Sequence, residues 1–248
     1  MQSLTRRRLL AGSGMAAVSA LAVGAAPQER PARPMKILVA GGHPGDPEAG
    51  CGGTIARYSR EGHKVACLYL TRGQAGVDGK THAQAAEVRT AEALAACKIL
   101  GATPLFADQI DGATQITADH YAKFTTLVAS VDPDVVFTHW PVDHHRDHRV
   151  CAMLTLDAWI ETGKKFALYY YEVDLGSDTQ CFRPTCFVDV TETEPLKRQA
   201  CMAHRSQNPE RFYLKDHVPM MHFRGIESGY IFAEGFVHHD PSRSAVLP

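Results

Sequence analysis

The stretch "ILVAGGHPGDPEAGCGGT", Ile37 to Thr54, decides how the rest of the chain is read. Its first four residues are apolar without alternation, the pattern of a strand buried on both faces of a parallel sheet. From Gly41 onward come six glycines, two prolines, one histidine and two acids. Three readings compete for this segment. A plain turn explains the Gly and Pro residues but not the histidine and acids placed where the chain leaves the strand. A dinucleotide fingerprint needs a tight Gly-x-Gly-x-x-Gly turn and an acid at the end of the second strand. That strand instead ends Leu70-Thr71-Arg72-Gly73. Half of a metal site is the third reading: His43 and Asp46 lie three residues apart on a Pro-stiffened turn, and imidazole and carboxylate are both zinc ligands.

Working outward, strand-like and helix-like stretches alternate. Strands are expected at residues 36–40, 65–71, from 105, at 134–140, 166–173, 187–190 and 229–237. Helices are expected at 54–61, 84–100, 118–130, 147–162 and 194–205. Alternating βα units with apolar strands imply an α/β fold of Rossmann-like type, a mostly parallel sheet with helices on both faces. Neither a repeat nor an internal linker interrupts it. Residues 27–248 therefore read as a single domain, a usual size for one. In such sheets functional loops lie beyond the carboxyl ends of the strands. The segment His139-Trp140-Pro141-Val142-Asp143-His144-His145-Arg146-Asp147-His148 follows the strand "DVVFT" and so leaves the same edge as the His43 loop. A third metal ligand is expected from this second loop, with His148 the leading choice.

Residues 1–26 are expected to be an export leader rather than part of the fold. Arg6, Arg7 and Arg8 precede an Ala/Gly-rich apolar stretch and small residues before Pro27, and Thr5 to Leu10 fit the twin-arginine pattern. The stretch is short and diluted by Gly and Ser, unlike a membrane span of about 20 strongly apolar residues. The expected location is periplasmic or secreted, with the twin-arginine export machinery as a partner. Net charge is −1, so nothing points to nucleic acid. The seven cysteines are odd in number and lack a Cys-x-x-Cys. Whether Cys181 and Cys186 pair is left open.

The motifs Gly42-His43-Pro44-Gly45-Asp46-Pro47-Glu48, Gly52-Gly53-Thr54 and His145-Arg146-Asp147-His148 resemble those of the PIG-L (LmbE-like) zinc-dependent de-N-acetylases. That family carries Ala-His-Pro-Asp-Asp-x-Glu, Gly-Gly-Thr at a helix start, and a later His-x-Asp-His. Further echoes are "LTRGQAG" at 70–76, Arg89 with Glu92, "HRSQ" at 204–207 and "AEGF" at 233–236. The resemblance implies Zn2+, or another divalent metal, on His43, Asp46 and His148. It also implies removal of an acetyl group from an N-acylated, sugar-like small molecule.

One position departs from the family pattern. Its general-base Asp is replaced by Gly45. The residues that could take over are His145, matching a family residue that stabilises the oxyanion or donates the proton, with Asp147 orienting it, and Asp143 from the same loop. Glu48 reads as structural. His139 and His144 are expected outside the ligand set, and His217, His222, His238 and His239 at the surface. Two alternatives stay open: a zinc-binding protein of this fold without hydrolysis, and a different reaction on another small metabolite.

Overall fold

The computed structural model describes residues 33–173, 178–245 and 247–248. The leader expected at residues 1–26 lies outside these. The chain runs β1 (Lys36–Gly41), α1 (Asp46–Arg60), β2 (Lys64–Thr71), α2 (His82–Leu100), β3 (Ala102–Gln109), α3 (Ala118–Val131), β4 (Val135–His139), α4 (Arg146–Glu161), β5 (Ala167–Tyr171), β6 (Cys186–Asp189), α5 (Glu194–Ala203), α6 (Pro209–Phe212), α7 (Val218–Ser228) and β7 (Ala233–His238). A π-helical turn, Tyr213–His217, joins α6 to α7.

The seven strands form one sheet in the order β3-β2-β1-β4-β5-β7-β6. All pairs from β3 to β5 are parallel, and β7 runs antiparallel to both β5 and β6. Because successive side chains of a strand point to opposite faces, β1 feeds two cores. Ile37 and Val39 pack with α1, α2 and α5, while Leu38 and Ala40 pack with α3 and α4. This is the expected doubly covered, mostly parallel sheet. Strand order reverses between β1 and β4, so the connections leaving them diverge and open a crevice at their carboxyl ends.

Two departures from the expected elements bear on the site. Helix α1 begins at Asp46, eight residues before the expected start. Pro47 in its first turn is pre-shaped for a helix, and Glu48 Oε2 accepts from Gly45 N at 3.1 Å. The glycines that looked like loop lie within the helix because other elements press on it. A Cβ on Gly50 would meet Tyr171 Cδ2 at 2.3 Å, and Gly52 and Gly53 abut Lys197 and Val190. Gly52 and Gly53 therefore serve helix packing. The second departure is the helical segment from Pro209 to Ser228, which the sequence did not disclose. It buries His217, one of the histidines expected at the surface.

Candidate metal centre

Both loops at the switch point carry their histidines into one cluster. On the first, the His43 backbone N–H donates to Asp46 Oδ2 at 2.7 Å, closing the turn. The same oxygen lies 3.2 Å from His43 Nδ1, 3.3 Å from His148 Nε2 and 3.2 Å from His139 Nε2. His148 arrives from the first turn of α4, and His139 from the last residue of β4.

The far nitrogens of the two loop imidazoles are held by acids. His43 Nε2 is 3.0 Å from Asp147 Oδ2 and 3.2 Å from Asp111 Oδ1. His148 Nδ1 is 3.1 Å from Asp143 Oδ2. Asp147 is in turn fixed by Gly112 N at 2.7 Å and Thr114 Oγ1 at 2.6 Å. Asp143 accepts from His145 N at 2.7 Å. The two acids on the second loop therefore orient one imidazole each.

That arrangement revises the expected role of Asp147. Its carboxylate faces His43 rather than His145, and its backbone N–H donates to His145 Nδ1 at 3.3 Å. His145 is itself the cap of α4. Accepting at Nδ1 places the neutral ring's proton on Nε2. His145 stands beside both loop imidazoles, with ring centroids 4.8 Å from His43 and 4.6 Å from His148. Burial, then the repulsion of those two rings, pulls its pKa down.

Electrostatics couple the imidazoles of the cluster to its acids. Burial works against charging His148, but Asp46 and Asp143 outweigh it and push it up to about 9. Burial likewise opposes charge on His43, which Asp46, Asp111 and Asp147 nevertheless hold well above its ordinary value. Burial would raise Asp46, yet His148 and His43 keep it well below the usual carboxylate range. His139, fully buried and stacked on His148 at 3.9 Å, is pushed down to about 4 by burial and by its neighbour's charge. Its Nε2 accepts from Gly42 N at 2.9 Å, which leaves Nδ1 buried without a partner.

Do these residues fit an ion? Tetrahedral ligands about 2.0–2.1 Å from zinc stand about 3.3 Å from one another. His43 Nδ1 and His148 Nε2 keep that spacing from Asp46 Oδ2. Acids behind both imidazoles match the outer contacts that metal-binding histidines make. Among the described residues three overlapping groups bring potential ligand atoms within 4.8 Å of one another: His43/His145/His148, Asp46/His139/His148 and His43/Asp111/Asp147; the expected set of His43, Asp46 and His148 is divided between the first two. The donor set suits a divalent ion such as zinc, and N/O ligands also accept other first-row metals.

A cleft of about 480 Å³ opens over His43, Asp46, His145 and His148. A smaller pocket of about 210 Å³ adjoins it, sharing Pro44, Asp46, Arg89 and Gln207 and adding Gly45 and His204. Gly45 holds φ +109°, a left-handed backbone that side chains disfavour. Glu48 is buried and occupied by Gly45 N and by the Tyr69 hydroxyl at 2.7 Å, the structural part expected of it. Arg72 turns to Asp108 and Thr90, away from the cleft. His144 is exposed and faces Asp178.

Sequence reasoning missed Asp111 and underrated His139. Asp111 follows β3 on the same sheet edge, so its place after a strand was the available signal. Cys181 and Cys186 are free thiols.

Residues 38–159 match the family model described as PIG-L: GlcNAc-PI de-N-acetylase. The chain is 29% identical over 223 residues to 4-oxalmesaconate hydratase of Pseudomonas putida, covering 80% of this chain and 86% of that one. It is 28% identical over 220 residues to diacetylchitobiose deacetylase of Thermococcus kodakarensis, covering 81% of each. Among solved structures, the conserved protein TT1542 of Thermus thermophilus superposes with a TM-score of 0.73 at 28% identity. That match covers 85% of this chain and 97% of the other.

Proposed function

The chain belongs to the PIG-L family of enzymes, and from that premise we propose that it is a zinc-dependent amidohydrolase. Its proposed reaction is release of acetate from an N-acetylated sugar or related amide. The observation that carries this reading is the convergence of His43 Nδ1 and His148 Nε2 on Asp46 Oδ2, each imidazole backed by an acid. His43, Asp46 and His148 would hold the ion. What a bound zinc supplies is Lewis acidity, polarising an acyl carbonyl and acidifying water.

The chain's own residues do the rest. Asp143 and Asp147 fix the ring orientation of His148 and His43. His145 presents its Nε2–H to the oxygen of the acyl group as charge builds there and keeps that proton near the leaving nitrogen. The cleft above the cluster holds the substrate. No side-chain carboxylate stands at position 45, so water loses the base that typically adds about 10²–10⁴-fold. The expected consequence is slow turnover rather than none.

Purified, zinc-loaded protein should release acetate from N-acetylglucosamine or diacetylchitobiose, and His148→Ala should abolish it. Absence of acetate across a panel of N-acetyl sugars and simple amides would contradict the proposal. Gly45 and the similarity to a hydratase favour one second reading, addition of water to a small metabolite at the same cluster. Mass spectrometry separates the two: hydration adds the mass of water to one product, whereas deacetylation yields two. Export by the twin-arginine route is proposed from Arg6 and Arg7 alone. Fusing residues 1–26 to a reporter that matures only outside the cytoplasm tests it, with loss of signal expected on replacing both arginines by Lys.

A further inference from the structure

Beside the metal cluster the smaller pocket presents nitrogen donors that the protein leaves without partners. His204 is 4% exposed, lines the pocket, and has no hydrogen bond at either ring nitrogen. Its Nε2 lies 3.2 Å from Glu48 Oε1 but out of line for a hydrogen bond. Arg89 is also 4% exposed; Nη1 meets Glu92 at 3.3 Å, Nη2 donates to the Pro44 carbonyl, and Nε, without a hydrogen bond, lies against Gly73 on the side of the larger cleft. Buried polar groups are ordinarily satisfied, so a buried imidazole with no hydrogen bond at either nitrogen in a pocket wall calls for a ligand.

Gly45 shows where that ligand fits. A Cβ at this position would meet nothing closer than Arg89 Nη2 at 3.9 Å and His204 Cδ2 at 3.9 Å. The hole is therefore bounded by a guanidinium on one side and an imidazole on the other. A planar anion of carboxylate size placed there lies against Arg89 Nη2 and the Cδ2 edge of the His204 ring, one bond from Nε2.

Three acids stand nearby. Asp46 turns its Oδ2 toward the histidine cluster, and Glu48 spends Oε1 on Tyr69 and Oε2 on Gly45 N. Glu92 balances Arg89 but also accepts from Ser206 N and Oγ. His217 lies on the pocket's far wall, pushed down to about 3 by burial and by Lys197, and adds no charge near neutrality. The atoms nearest the hole are Arg89 Nη2 and the Cδ2 edge of His204.

We propose that the pocket at Gly45 is a carboxylate-binding subsite in which Arg89 and His204 hold the anion next to Asp46. This deepens the amidohydrolase reading and rests on it only for the source of the anion. Either the substrate carries the carboxylate, which makes the enzyme selective for acidic N-acyl compounds, or a small free acid occupies the hole during turnover. In both cases a carboxylate comes to lie beside the cluster where the chain itself provides none.

Formate is the probe, titrated calorimetrically into the zinc-loaded full chain, the Gly45→Asp variant and the His204→Gln variant. The wild type should bind formate. His204→Gln, whose flexible amide is not held where the imidazole nitrogen stands, should weaken it about tenfold. Gly45→Asp, which fills the hole at the expense of a strained backbone, should abolish it. Equal binding by all three, as coordination to the metal alone would give, overturns the subsite, and so does no binding by the wild type. His204→Gln keeps the test readable if Gly45→Asp does not fold.

Turnover then separates the sources. Preference for an N-acetyl substrate bearing a carboxylate over its methyl ester, with formate as competitor, assigns the anion to the substrate. Saturable acceleration of a neutral substrate by formate assigns it to a free acid. If no amide is hydrolysed but formate binding follows the predicted order, the amidohydrolase reading fails and the subsite stands.

Discussion

Two buried ionic clusters flank α1, and they are built on opposite principles. Under the middle of the helix, Glu234 accepts from Gly53 N at 2.9 Å, Thr54 N at 2.8 Å, Thr54 Oγ1 at 2.6 Å and Lys197 Nζ at 2.7 Å. One acid meets one base, both carboxylate oxygens are used, and nothing is left over. At the start of the helix, Asp46 faces three imidazoles through a single oxygen, and nitrogens on His139 and His204 have no partner. The first cluster is closed and holds α1 to α5 and β7. The second is open, and an open buried cluster carries a cost that a group from outside can relieve.

The largest effect expected from this contrast is at the open cluster. His148→Ala should remove bound metal and lower kcat/KM by about a thousandfold or more, since zinc supplies much of the transition-state stabilisation. The melting profile of the metal-free protein should change little. Elemental analysis alongside acetate release checks both parts.

Breaking the closed cluster should do the reverse. Lys197→Met leaves Glu234 buried without its counter-charge and should cost about 3–5 kcal/mol of stability. Protein that still folds should bind one equivalent of metal. Denaturant unfolding with elemental analysis distinguishes this from a shared role for the two clusters.

A smaller effect is expected one contact away from the ion. Asp143→Asn keeps the shape behind His148 but weakens its orientation, and metal affinity should fall about 10–100-fold. Competition with a chelator of known affinity measures it. An unchanged affinity would remove Asp143 from the account.

Smallest is Tyr171→Phe. The Tyr171 hydroxyl donates to Ala40 O at 2.8 Å and lies 3.4 Å from His139 Nε2. Its loss should cost about 1 kcal/mol with metal content unchanged. A large loss of metal would make Tyr171 a supporting member of the open cluster.

The contrast also explains what the sequence could disclose. Strands β1, β2 and β4 are short uninterrupted apolar runs, and α2 ends at Gly101 in a left-handed turn, φ 72°, so pattern and stop signal agreed. Local spacing also brought out His43 with Asp46 and His145 with His148, because each pair sits on one turn. The start of α1 was hidden because Gly50, Gly52 and Gly53 answer to Tyr171, Lys197 and Val190, all more than a hundred residues distant. Asp111 and the burial of His139 were hidden for the same reason. The orientation of Asp147 toward His43 rather than His145 depends on how α4 meets the loop after β3, which no spacing within one motif encodes.

The central claim is that two loops leaving β1 and β4 grip one divalent ion. An anomalous-scattering map from crystals of the zinc-loaded protein tests it most directly. The account predicts a single peak about 2.0–2.2 Å from His43 Nδ1, Asp46 and His148 Nε2, with His139 outside bonding distance. A peak coordinated by His139 in place of His43, or no peak at the cluster in protein loaded with excess zinc, would contradict it.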